Sequence, residues 1–231
     1  MSDSSATVKG EARELLLNTA EVLFARHGVE GVSLRTINAS AGVSPGVLHY
    51  HFGSREVLVH ELVIRGQTRL WEARSSLLQP LLQLDSPSVH AIVHSLVAPL
   101  AALALQPPST QGDPEVIPAG VRYVRFMARL HADRSEILDE VSRRYQEVQQ
   151  LYPQLLARAL PDSSVTELDL RFAMANHAML QMLSDITYQE NPWLQNALSI
   201  VDSNALTTML VDFMASGISG TLGGTNEEKQ A

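Results

Sequence analysis

The sequence predicts an all-α protein, with a small three-helix domain first and a larger helical bundle behind it. Three observations carry that expectation. Apolar residues recur at three- and four-residue offsets along most of the 231 positions, and no stretch alternates as a strand would. Hydrophobic residues make up 45% and aromatic residues only 5%, and the apolar set is rich in Leu and Ala, which are strong helix formers. The gaps between periodic segments carry helix stops and starts: glycines, capping Ser or Asp, and proline in a first turn.

A first helix is expected from about Gly10 to His27, with Ala12, Leu16, Ala20, Leu23 and Phe24 as its apolar stripe and Gly28 as its stop. Ser33 caps a second, whose Leu34, Ile37 and Ala41 share one side, and Gly42 ends it. Ser44 caps a third with Pro45 at the first helical position, where a missing N–H costs nothing; Gly53 ends that one. Two helices separated only by Gly42, Val43 and Ser44 form a helix-turn-helix, which presents its second helix to a DNA major groove.

Ser54 caps a fourth helix that runs to about Leu84 and belongs to both halves. The fifth follows Asp85-Ser86-Pro87-Ser88, carries Val89, Ile92, Val93, Leu96, Val97 and Leu100, and is kinked near Pro99. A breaker-rich loop over 106–114 precedes a sixth helix from about Pro118 to His131. The seventh opens on Asp133 and Glu136 at capping-box spacing and reaches Leu151 or beyond, where Pro153 bends or ends it. Ser164 and Glu167 open an eighth, apolar on more than one side, that reaches about Tyr188. The ninth follows Asp202-Ser203, and the last dozen residues read as a disordered tail. The expected division is 1–54, 55–219 and a tail of 220–231.

Composition narrows the function. The absence of cysteine excludes disulfides and thiolate metal sites and suits a reducing cytoplasm. The N-terminus has no apolar signal region, and the low-charge run 88–111 is broken by Pro99, Pro107 and Pro108, so no membrane span is expected. A net charge of −8 argues against a chain that coats nucleic acid. Locally the balance reverses: no acidic residue lies between Glu30 and Glu56, where Arg35, His49, His51 and Arg55 sit, and Lys9 and Arg13 can add to that face. One copy of so modest a positive surface binds DNA weakly, so two side by side are needed.

The segment Val43–Leu58, V-S-x-G-x-L-x-Y-H-F-x-S-[KR]-E-x-L as it stands here, resembles the signature of tetracycline-repressor (TetR) family regulators. The likeness continues upstream through Ala20-Glu21-x-Leu23-Phe24-Ala25-x-x-Gly28 and Gly31-Val32-Ser33-Leu34-Arg35. It implies an N-terminal helix-turn-helix domain followed by a helical-bundle ligand-binding and dimerisation domain, acting most often as a repressor. It assigns DNA contact to Pro45, Gly46, Val47, His49, Tyr50 and His51, with Ser44 completing the DNA-facing set. Physical chemistry agrees in outline. Small residues let the helix end approach the bases, Val47 suits a thymine methyl, and His49, Tyr50 and His51 can donate. Arg35 is the candidate for bidentate bonds to guanine, while Thr36 and Arg55 suit phosphate. Two departures from the family pattern are Pro45, often Lys or Thr, and His49, often Tyr.

Beyond this segment the candidates are sparser. Trp71, Phe126, Tyr145, Asn176 and His177, with His94, are candidate lining for an apolar cavity between helices. His131 is either a cavity group or a hydrogen-bonded core residue. Arg122, Arg125 and Arg129 form a stripe that suits an anionic effector or a solvated face paired with Asp133, Glu136, Asp139 and Glu140. Leu206, Leu210, Phe213 and Met214 are expected at a homodimer seam. His90 and His94 have metal-chelating spacing, which defines the alternative, a helical-bundle metal-binding protein or enzyme. No nucleophile–base pair, carboxylate cluster or phosphate loop accompanies them, so neither catalytic residues, metal nor cofactor are expected. The expected partners are a palindromic double-stranded operator, a small apolar or amphipathic effector and a second copy of the chain.

Overall fold

The computed structural model describes residues 3–106, 117–133, 136–188, 192, 195, 196 and 201–220. Within them the chain forms α1 (Asp3–His27), α2 (Leu34–Ser40), α3 (Pro45–Phe52), α4 (Arg55–Leu82), α5 (Val89–Ala104), α6 (Ala119–Ala132), α7 (Glu136–Arg144), α8 (Gln146–Gln149), α9 (Leu151–Ala159), α10 (Val165–Tyr188) and α11 (Ser203–Ser219). No strand occurs among the described residues. The breaker-rich loop beyond Gln106 and the tail beyond Gly220 lie outside them.

Local chemistry sets the boundaries. Ser33, Ser54, Ser88, Ser164 and Asp202 each accept a hydrogen bond from the N–H three residues on. Gly28, Gly42 and Gly53 take φ of 73°, 67° and 71°, a left-handed turn that a side chain would strain. Two expectations need correction. The first helix starts at Asp3, a full two turns before Gly10. The seventh is three short helices, parted at Tyr145 and Gln150; Pro153, which has no N–H to give the Gln149 carbonyl, sits inside the first turn of α9. It opens a helix and does not end one.

A continuous apolar core runs from Leu16 on α1 to Ile218 on α11. The small domain is anchored into it by Phe24, which stacks on Phe126 of α6 with ring centroids 6.0 Å apart. A charged cluster lies beside that contact. Glu21 of α1, only 4% exposed, accepts from Arg65 Nη2 of α4 at 3.2 Å and from Arg122 Nε of α6 at 3.1 Å. Arg65 also reaches Glu14 and Asn18, and Arg122 the Ile117 carbonyl. Arg125 bonds the hydroxyl and carbonyl of Thr187 on α10. Arg122 and Arg125 therefore help to tie α1, α4, α6 and α10 together.

Gly66 of α4 lies against Tyr123 of α6, where a Cβ would clash with the ring carbons Cδ2, Cε2 and Cζ. Gly66→Ala is expected to cost about 1–3 kcal/mol by forcing that ring aside, since overpacking a filled core strains rotamers and backbone. Urea unfolding would show it as a lower midpoint at unchanged slope.

Candidate nucleic-acid interface and interhelical cavity

The helix-turn-helix is fixed from inside. Ile37, Leu48 and Phe52 are buried, and their spacing leaves the opposite side of α3 to solvent. Asn38, buried on α2, donates through Nδ2 to the carbonyls of Leu34 and Pro45 at 3.1 and 3.2 Å, and its own carbonyl accepts from the Val43 N–H. This clamp locks α2 against the start of α3. It escaped sequence reasoning; its signal was a polar residue directly after the apolar Ile37.

On the outer side, Arg35, Thr36, Ser44, Pro45, Gly46 and His49 are exposed, and Tyr50 is 69% exposed. Val47 and His51 are half-buried, and the His51 ring meets those of Tyr50 and Phe52. The candidate DNA residues thus share one convex ridge. Two of them are engaged within the chain: the Thr36 hydroxyl bonds Ser33 Oγ at 2.8 Å, and Arg55 pairs with Glu30 at 3.2 Å. Ser44 makes no side-chain cap bond, which leaves its hydroxyl available at the helix start. Behind the ridge, the Arg13 guanidinium lies over the Phe52 ring and pairs with Glu61. Arg13 therefore belongs to the packing of the domain.

A second candidate site is a cavity of about 230 Å³ enclosed by α4, α5, α6, α7, α9 and α10. Each wall presents one helical face. α4 offers Gln67, Leu70, Trp71 and Arg74; α6 offers Tyr123, Met127 and His131; α10 offers Phe172, Asn176, Met179 and Leu180. Of the candidate lining, Trp71 and Asn176 are in place. Tyr145 stands behind the wall, stacked on Trp71 at 5.9 Å with its hydroxyl 3.1 Å from that of Thr68. Three residues need correction. Phe126 is one turn-face away from Tyr123 and Met127, fully buried against Phe24. His177 follows Asn176 and so points to solvent, and His94 is exposed on the far side of α5. His131 joins the lining while keeping an exposed part; removal from water and the neighbouring His177 lower its pKa, so the imidazole is neutral at pH 7.

Sequence reasoning missed Arg74. It is 7% exposed, lies 5.3 Å from the Trp71 ring centre, and donates Nε and Nη2 to the Leu96 carbonyl at 3.2 and 3.1 Å. That carbonyl belongs to the turn of α5 interrupted by Pro99. Nothing local in Glu72-Ala73-Arg74-Ser75 distinguishes this arginine from a solvated one.

The expected dimer stripe is divided. Leu206, Leu210 and Met214 are buried within the chain, where α11 packs on α5, whereas Phe213 is 71% exposed. The expectation that all four lack partners inside one chain is corrected accordingly. The outward apolar groups on these helices include Phe213 and Met209 of α11 with Met174 and Leu170 of α10, and Val165 at the start of α10. His90 is paired with Asp212 of α11 at 3.0 Å, and no group of three metal-ligating side chains exists among the described residues.

Comparison with known proteins covers both halves. Residues 16–62 match the family model described as bacterial regulatory proteins, tetR family, and residues 103–217 match the tetracyclin repressor-like C-terminal domain. Over 69 residues the chain is 33% identical to the HTH-type transcriptional regulator UidR of Escherichia coli K12, covering 30% of this chain and 35% of that protein. Over 58 residues it is 40% identical to the HTH-type transcriptional repressor KstR2 of Rhodococcus jostii, covering 25% and 28% respectively. A solved TetR-like transcriptional regulator from Rhodococcus sp. RHA1 superposes with a TM-score of 0.63 at 16% identity, covering 91% of this chain and 97% of that one.

Proposed function

The chain belongs to the TetR family of transcriptional regulators, and from that premise we propose that it is a ligand-responsive repressor. In this reading residues 1–54 bind a palindromic operator and residues 55–219 bind an effector and a second copy of the chain. The protein works in the cytoplasm, beside bacterial DNA, and a small apolar or amphipathic metabolite releases it from the operator. No helix among the described residues is long and apolar enough to cross a membrane.

The observation that carries the reading is the exposed ridge of Arg35, Pro45, Gly46, His49 and Tyr50 over a domain clamped from behind. A largely exposed face on a domain clamped from behind suits base readout, which needs side chains placed before contact. The regulatory half follows from connectivity. Only Gly53 and Ser54 separate α3 from α4, and α4 carries Trp71 and Arg74 into the cavity. Two recognition helices must sit about 34–36 Å apart to enter successive major grooves. A ligand that tilts α4 changes that spacing, to the extent of its differential affinity for the two arrangements.

Selection of bound DNA from a random pool is the test, and a two-fold symmetric site is the expected result. Failure to enrich any sequence would refute the proposal. With that site in hand, Arg35→Ala is expected to cost about 1–3 kcal/mol and to relax preference at one base pair. Arg55→Ala, by contrast, should weaken all DNAs alike and flatten the salt dependence, as loss of a phosphate contact does. Binding isotherms at several salt concentrations distinguish the two.

A further inference from the structure

The cavity holds a cation that no carboxylate among the described residues of its lining answers. Its lining contains one arginine and no aspartate or glutamate. Arg74 gives Nε and Nη2 to a neutral carbonyl, and Nη1 has no hydrogen-bond partner among the described residues. An ion left unpaired in an interior is costly. Burial lowers the Arg74 pKa, as expected of a cation without a counter-charge, though arginine stays protonated at neutral pH.

Three neighbours reinforce the anomaly. The Tyr123 and Tyr152 hydroxyls and Trp71 Nε1 are buried and unpartnered, although buried donors are nearly always satisfied. All three residues line the same cavity as Arg74. Burial raises the Tyr123 and Tyr152 pKa values above their ordinary value, so both phenols are neutral donors. One cation and three unpartnered donors among the lining residues form an acceptor-seeking site. The rest of the lining includes the apolar Leu70, Leu100, Met127 and Phe172.

Resting on the reading of this cavity as the effector site, we propose that its ligand is a small monocarboxylic acid whose carboxylate accepts from Arg74, with Tyr123 and Trp71 donating beside it. One arginine matches one negative charge; a phosphate dianion would need a second cation, which the lining does not supply. The space of about 230 Å³ has room for a small aromatic or short-chain acid.

The test uses the whole protein and matched pairs: benzoate with benzamide, phenylacetate with phenylacetamide, hexanoate with hexanamide. Binding is measured by calorimetry without DNA, and release separately on the selected operator. At least one acid should bind roughly 10- to 100-fold tighter than its amide, the difference expected for hydrogen bonds to a charged group. Arg74→Gln should erase that preference. Should Arg74→Gln fail to fold, judged by circular dichroism, Tyr123→Phe decides: it keeps the ring, removes only the hydroxyl, and should weaken the acid several-fold with the amide unchanged.

Amides binding as well as acids, an acid preference surviving both substitutions, or no binding by any pair each overturn the inference. Neutral apolar compounds that release DNA would leave the effector reading intact and remove the carboxylate. Acids that bind through Arg74 without releasing DNA would do the reverse.

Discussion

Phe213→Glu is expected to give a monomeric protein and to lower affinity for the selected operator by roughly a thousandfold or more, the usual gap between specific and non-specific binding. Phe213 is 71% exposed on α11, and Met209, Met174 and Leu170 on α11 and α10 are 58 to 63% exposed. Four large apolar groups turned outward on two packed helices are unusual for a monomer and suit an isologous two-fold contact. A carboxylate placed there twice, facing its own copy, is both desolvated and repelled. Each monomer then offers a single ridge, with too little positive surface to hold DNA. Leu206→Glu is the informative control. Leu206 is 8% exposed with α11 lying on α5, so this change should unfold the chain instead of splitting a dimer. Sedimentation and thermal melting separate the outcomes. A monomeric wild-type protein, or a dimeric Phe213→Glu, defeats the expectation.

Glu21→Leu is expected to destabilise the fold by about 3 kcal/mol, the low end for removing one partner of a buried ion cluster. The low end applies because Arg65 retains Glu14 and Asn18, and Arg122 retains the Ile117 carbonyl. For a chain of this size that corresponds to a melting point lower by roughly 6–12 °C. Leucine fills much of the same space, so a loss of that size would reflect stranded guanidinium groups and not a void. Adding Arg122→Leu should recover part of it, and a double-mutant cycle with no coupling would sink the argument.

The sequence was a good guide wherever the determinant is local. Ser33, Ser54, Ser88, Ser164 and Asp202 cap helices because a cap depends on three or four consecutive residues, and the positive-φ glycines follow the same logic. The three-helix head was legible to within a residue or two, apart from the extra turns before Gly10. The cavity was not legible. Its membership depends on which face of each helix meets another, and neighbours on one helix differ by about 100° in direction. That rotation separates Asn176 from His177, and the Tyr123–Met127 face from Phe126. Arg74 was hidden for a different reason: an arginine reads as surface until the surrounding helices are in place. Pro153 misled because a proline can open a helix as readily as close one, and only the neighbouring turns decide.

The broken segment α7–α9 has a mechanical consequence. One side of the cavity is α4, an unbroken 28-residue rod joined directly to the reading head. Another part of its wall is made of helices of 9, 4 and 9 residues, each too short to be stable alone and held only by packing, α7 against α4 itself. A guest in that space would meet a stiff wall and a soft one. Displacement absorbed by the soft side does no work on the head, however tightly the guest is held. In the proposed reading affinity and efficacy would thereby be uncoupled: a molecule that leans on α7–α9 would occupy the site in silence, and only one that presses on the rod would act as an inducer.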